Sequence, residues 1–111
     1  MTTREDVIRL LKESVVALSL PADKQATLYE TSVVVTDELL LDFDNWYQVI
    51  LGNFPDAFSS DQWKQLSAIN EWMDQFPPEN SQQTILEELQ ESPFWEQLRT
   101  MSKQWLDTLK N

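Results

Sequence analysis

The sequence predicts an all-α protein: one domain over residues 1–111, built as a bundle of about five helices around a long central one. Three observations carry that expectation. The chain holds a single glycine, Gly52, whereas sheet proteins spend glycine on hairpin turns and nucleotide-binding α/β folds spend it on phosphate loops. Apolar residues recur at steps of four and three, the helical period. Cap residues and prolines stand where those apolar runs break.

The longest run passes through Ala22, Ala26, Tyr29, Val33, Thr36, Leu40, Phe43, Tyr47 and Ile50. This spacing keeps one stripe of a helix facing one direction, and we read the segment as the spine of the bundle. Ahead of it, a first helix is expected from about Arg4 to Leu18. Thr3 is its N-cap, and Glu5 and Asp6 favour the positive end of the helix dipole. Val7, Leu11, Val15 and Leu18 form its buried face, with Ile8 beside them. Leu20-Pro21 ends it, because a residue before proline is pushed out of the α region.

Asp23 then caps the central segment. One continuous helix from Ala22 to Leu51 would be about 45 Å long, yet a domain of this size has a radius of gyration of only about 13 Å. That mismatch predicts a break or kink, at Thr31-Ser32. Val33-Val34-Val35 taken alone suggests a buried strand, but the four-three spacing runs through it without a slip and favours helix. Gly52 is expected as the C′ residue that terminates the segment, and Phe54-Pro55-Asp56 as a turn.

A third helix begins with Ser59 and Gln62 at capping-box spacing, and Phe58 can meet Trp63 as a hydrophobic staple. Trp63, Leu66, Ile69, Met73 and Phe76 line its apolar face. Pro77-Pro78 stops it, and Pro77 through Ser81 has the composition of a loop. A short fourth helix follows through Ile85, Leu86 and Leu89. Ser92-Pro93 starts a fifth, with Ser as cap and Pro at the first helical position. Phe94, Leu98, Met101, Trp105 and Leu109 give it an apolar edge, and Lys103 and Lys110 suit its C-terminal half.

At 111 residues, folding buries roughly 65% of the chain's surface, enough for one core. Five Trp, five Phe and two Tyr supply bulky core material that a disordered chain rarely carries. No cysteine is present, so neither a disulfide framework nor a thiol nucleophile is available. The first residues lack the apolar run of a secretory signal, and no stretch approaches the ~20 apolar residues of a membrane span. The expectation is a cytoplasmic protein without membrane contact.

The charge is less ordinary: 19 acids against 8 bases, a formal net charge of -11. Between Gln25 and Leu98 the only base is Lys64, while seven of the eight bases lie in the terminal segments. The middle of the chain therefore projects a negative field. Direct nucleic-acid binding through phosphates needs the opposite sign.

Catalysis is disfavoured. Histidine is absent, which removes the usual general base near neutral pH and excludes Ser-His and Cys-His dyads. The Glu-x-x-His pattern of helical di-iron sites is excluded with it. Asp42-Phe43-Asp44-Asn45 superficially matches a calcium loop, but Tyr47 occupies the position that requires glycine. No metal or other cofactor is expected.

Binding remains. An acid surplus this lopsided exceeds what solubility requires, because like charges destabilise the compact state that carries them. Such a surface attracts cationic proteins and mimics the field of a phosphate backbone. Trp46 and Trp72 stand on the shoulders of their apolar stripes, where an interface anchor would sit. Trp63, Trp105 and Tyr47 read as core. Four-three spacing also occurs in coiled-coil dimers, so both a monomer and a homodimer are compatible with the sequence.

Size, acidity, helicity and the missing catalytic residues together resemble the small acidic immunity proteins of bacterial toxin systems. Thr36-Asp37-Glu38-Leu39-Leu40-Leu41-Asp42-Phe43-Asp44 and Glu91-Ser92-Pro93-Phe94-Trp95-Glu96-Gln97-Leu98-Arg99 are also similar to a pattern in small bacterial proteins. The resemblance implies an inhibitor that binds and blocks a basic toxin, frequently a nuclease. On that reading Asp37, Glu38, Asp42 and Asp44 supply the steering field, Trp46 is the anchor, and Asp56 and Asp61 form the rim. The alternatives are a structural or adaptor protein that assembles through its helical faces, and a DNA mimic that occupies a nucleic-acid-binding protein.

Overall fold

The first helix begins with a cap. In the computed structural model, which describes residues 3–28, 34–77 and 83–110, Thr3 Oγ1 accepts the Asp6 N–H at 3.2 Å and Asp6 Oδ2 accepts the Thr3 N–H at 3.3 Å. This reciprocal pair satisfies two amides that a helix start leaves without partners. It opens α1 (Arg4–Ser19). Val7, Leu11, Val15 and Leu18 are at most 2% exposed, the expected face.

Six helices form among the described residues, with no strand: α1, α2 (Ala22–Gln25), α3 (Val35–Asn53), α4 (Ser60–Met73), α5 (Ile85–Glu91) and α6 (Pro93–Asp107). The extra helix comes from the expected spine, which is divided into α2 and α3. The expected break at Thr31-Ser32 lies outside the described residues. Asp23 does not cap α2. Pro21 stands at the N-cap without a side-chain hydrogen bond, and Asp23 falls in the first turn.

The centre of the bundle is also shared more evenly than one spine implies. α1 packs against both α3 and α6, α6 also contacts α4 and α5, and α2 rests on α5. The radius of gyration is 14.1 Å, close to the expectation for a domain of this length.

α3 buries Val35, Thr36, Leu39, Phe43, Tyr47 and Ile50. Leu39 at 1% exposure takes the place expected for Leu40, which is only partly buried. Both fit a four-three stripe, and the position of α1 on the Leu39–Trp46 side decides between them. Gly52 is not a left-handed terminator. No glycine has positive φ, and the helix continues to Asn53, whose side-chain amide donates to the Val49 carbonyl at 2.9 Å. That amide and the Phe54 N–H, which donates to the Ile50 carbonyl at 2.7 Å, close the last turn without glycine.

α4 starts as its sequence predicts. Ser59 and Gln62 form the full capping box, and the Phe58 and Trp63 rings meet edge-on at 5.5 Å between centroids. Trp63 Nε1 donates to the Pro55 carbonyl at 2.8 Å. Thr84 and Glu87 form another such box at α5, as Thr3 and Asp6 do at α1. Pro93 opens α6, although Ser92 makes no side-chain cap bond there. Trp95 and Trp105 are fully buried, and Phe58 packs edge-on to Trp105 at 5.3 Å.

Candidate protein-binding surface

The acids singled out in the sequence are distributed by α3 onto distinct surfaces. Leu41 is 58% exposed, and Val34, one residue before the helix, is 50% exposed. Residues three and four apart are neighbours on a helix surface, so Leu41 is bordered by Asp37, Glu38 and Asp44. Asp37 and Asp44 are exposed and Glu38 is half-buried. None of these three carboxylates pairs with a described Lys or Arg. Gln48 donates to Asp44 at 3.5 Å. An apolar side chain thus projects from the middle of an acidic helix face.

Asp42 and Trp46 come together on another side of α3. With Leu10, Glu13, Ser14, Ala17 and Leu28 they line an open groove of about 350 Å³ against α1. Trp46 is half-buried, as an anchor at a groove wall would be. Glu13 is already engaged by Arg9 at 3.4 Å, which reduces the negative field at that end.

Asp37 also borders a second cleft, shared with α5. Val34, Thr36, Asp37, Phe76, Gln83, Ile85 and Glu88 surround a volume of about 230 Å³. Glu88 Oε2 accepts the Trp95 indole N–H at 3.1 Å, so its carboxylate is held by a fully buried ring.

Asp56 and Asp61 lie in the α3–α4 connection and the first turn of α4. Asp56 is 83% exposed and faces Arg4 at 4.0 Å, which brings a terminal base among the acids at this one place. Asp61 is exposed. The structure therefore joins Asp42 to Trp46, and Asp37, Glu38 and Asp44 to Leu41, but does not gather all seven residues into one pocket. Trp72 belongs to the framework: it stacks on Phe94 at 5.9 Å and donates to the Phe94 carbonyl at 3.1 Å.

Among the described residues, four of the eight bases have polar side-chain partners: Arg4, Arg9, Arg99 and Lys110. Arg9 pairs with Asp6 and Glu13 on its own helix, and Lys110 with Asp107. Arg99 turns inward from α6. Its Nε donates to the Leu20 carbonyl at 3.1 Å and to Gln25 Oε1 at 3.2 Å. Its Nη2 donates to Gln25 Oε1 at 3.1 Å and to the Leu89 carbonyl. Gln25, fully buried, donates in turn to the Ala17 and Leu18 carbonyls at 3.0 and 3.1 Å. The carbonyl-rich ends of α1 and α5 thus converge on one cation, a favourable arrangement for helix dipoles. Burial lowers the Arg99 pKa and the nearby Glu96 carboxylate opposes that shift. An arginine stays charged under both influences.

Sequence reasoning did not find the Arg99–Gln25 network, the exposed Leu41 or the Glu88 cleft. The run Leu39-Leu40-Leu41 carried a signal for one of them, since three successive leucines cannot all face the core of a helix. The other two depend on helices distant in sequence. Among the described residues, no group of three or more acidic side chains is placed to hold a metal ion, and no helix is long and apolar enough to cross a membrane. No protein-family model, curated protein or solved structure matches the chain.

Proposed function

We propose that this chain is a non-catalytic binding protein that engages a basic protein partner, acting as an immunity-type inhibitor of a basic toxin such as a nuclease. The observation that carries this reading is the face of α3, where exposed Leu41 stands among Asp37, Glu38 and Asp44. Charges of one sign around an apolar centre do two separable things: the charges speed encounter with a cationic surface, and the apolar residue slows dissociation once water is excluded. The net charge of -11 extends the same field over the rest of the molecule.

The test is capture of partners on the immobilised chain at low salt, followed by association and dissociation rates for any captured protein. A basic partner is expected, with an association rate that falls steeply as salt rises. Asp37→Asn, Glu38→Gln and Asp44→Asn together should slow association about tenfold, and Leu41→Ala should mainly speed dissociation. A neutral or acidic partner, or an association rate indifferent to salt, would refute the proposal. A tight self-dimer in sedimentation with no other partner would favour the adaptor reading.

A further inference from the structure

We infer that the cleft between the first turn of α3 and α5 is a receptor for one arginine side chain of the basic partner, held between Asp37 and Glu88. The inference rests on the proposed function and adds the place and chemistry of one contact.

At about 230 Å³ the cleft is smaller than the roughly 300–1,000 Å³ of small-molecule sites, which suits a single inserted side chain. The described residues that line it are of two kinds. Val34, Phe76 and Ile85 are apolar, while Asp37 and Glu88 bring carboxylates. An arginine presents the complementary pair: an apolar stem, and a planar cation that bonds carboxylates and stacks on aromatic faces. Lysine offers a compact, strongly hydrated charge and gains less from the Phe76 ring.

Charge complementarity separates this cleft from the α1–α3 groove. There Glu13 is paired with Arg9, whereas neither Asp37 nor Glu88 pairs with a described base. Glu88 is also fixed in place, because one of its oxygens accepts the Trp95 indole N–H and the other is left for a ligand. Thr36, only 3% exposed, borders the same cleft and makes no side-chain hydrogen bond to another described residue. A guanidinium carries five donors, enough to serve both carboxylates at once.

Glu88 supplies a built-in reporter. Titration of the isotope-labelled full chain with N-acetyl-arginine methylamide should shift the Trp95 indole N–H resonance together with the amides of Asp37, Ile85 and Glu88, and the shifts should saturate. The neutral isostere N-acetyl-citrulline methylamide should bind at least tenfold more weakly, and the lysine analogue should fall between them. Asp37→Asn and Glu88→Gln, each keeping shape and an acceptor, should each weaken the arginine probe about tenfold, which corresponds to about 1.4 kcal/mol. Glu5→Gln, at an exposed acid in the first turn of α1, should leave it unchanged.

Equal binding of arginine and citrulline probes would overturn the inference. So would shifts spread over the acidic surface and indifferent to both cleft variants. A captured basic partner whose affinity ignores Asp37→Asn and Glu88→Gln overturns it while sparing the proposed function. A cleft that selects arginine in a chain without any basic partner does the reverse.

Discussion

Replacing Arg99 by methionine should destabilise the fold more than removing any other charge. Methionine keeps most of the apolar stem, so the change isolates the guanidinium. Three acceptors lose their donor: the Leu20 carbonyl, the Leu89 carbonyl and Gln25 Oε1. Leu20 is half-buried, so water can replace its bond, but Gln25 and Leu89 are fully buried. Leaving a buried acceptor unmet costs about 1–3 kcal/mol, and hydrogen bonds to a charged group lie at the upper end. Two such acceptors, each losing a bond to a charged donor, give about 3–5 kcal/mol. For a chain of this length that lowers the melting temperature by about 10–20 °C. Urea unfolding followed by tryptophan fluorescence measures it. Gln25→Met with Arg99→Met should cost less than the sum of the single changes by about 0.5–3 kcal/mol, since each is the other's partner. A loss under 1 kcal/mol for Arg99→Met, or strict additivity with Gln25→Met, would refute the argument that one network ties these helix ends together.

Gly52→Ala should stabilise the protein by about 0.5–1 kcal/mol, because the helix passes through Gly52 and an added Cβ meets nothing within 4 Å; thermal melting that shows a loss would place Gly52 in a conformation only glycine tolerates. Ser59→Ala, which removes half of the α4 capping box, should cost about 1 kcal/mol in urea unfolding. Bonds from Thr3, with help from Arg9, hold the Asp6 carboxyl below its ordinary value of 3.8. Its contribution is therefore present above that value and lost as pH falls through the lower folded value, so the gap in melting temperature between the native chain and Asp6→Asn should close below pH 3.8 and stay open above it. Raising salt to about 1 M, where the Debye length is about 3 Å, should raise the melting temperature by relieving repulsion among the acids of α3, α4 and α5; an unchanged or falling melting temperature would mean that those acids do not repel one another.

The elements legible in the sequence are those whose signals are local. Thr3 was legible as the N-cap of α1, and Ser59 with Gln62 and Phe58 with Trp63 are separated by three to five residues, so their partners are fixed once a helix begins. Where two geometries satisfy one pattern, the sequence could not choose between them. Leu39 and Leu40 both continue a four-three stripe, and only the placement of α1 assigns the buried position. Gly52 was misread for a similar reason: a glycine near the end of an apolar run suits a C′ residue, but the Asn53 side chain performs the closing bond one position later. The Arg99 network lay beyond reach because Leu20, Gln25, Leu89 and Arg99 meet only after four helices have packed. For the binding surface, the acids of α3 could be identified individually, but not their division between the Leu41 face, the Trp46 groove and the Glu88 cleft.

That division bears on how the chain can be both stable and strongly charged. Had Asp37, Glu38, Asp42 and Asp44 been crowded into one pocket, their mutual repulsion would have opposed the packing of α3 on α1 directly. Spread around a single helix, they repel through water, where screening is effective, while the buried stripe of α3 stays free of charge. The cation that enters the interior, Arg99, is surrounded by carbonyl oxygens rather than by these carboxylates, so the interior does not neutralise the outer acids. Asp37, Glu38 and Asp44 on α3 and Glu88 on α5 pair with no described base and consequently remain available to a positive partner. It follows that salt should act with opposite sign on the two properties, strengthening the fold and weakening the association, because the same unneutralised acids oppose the first and drive the second.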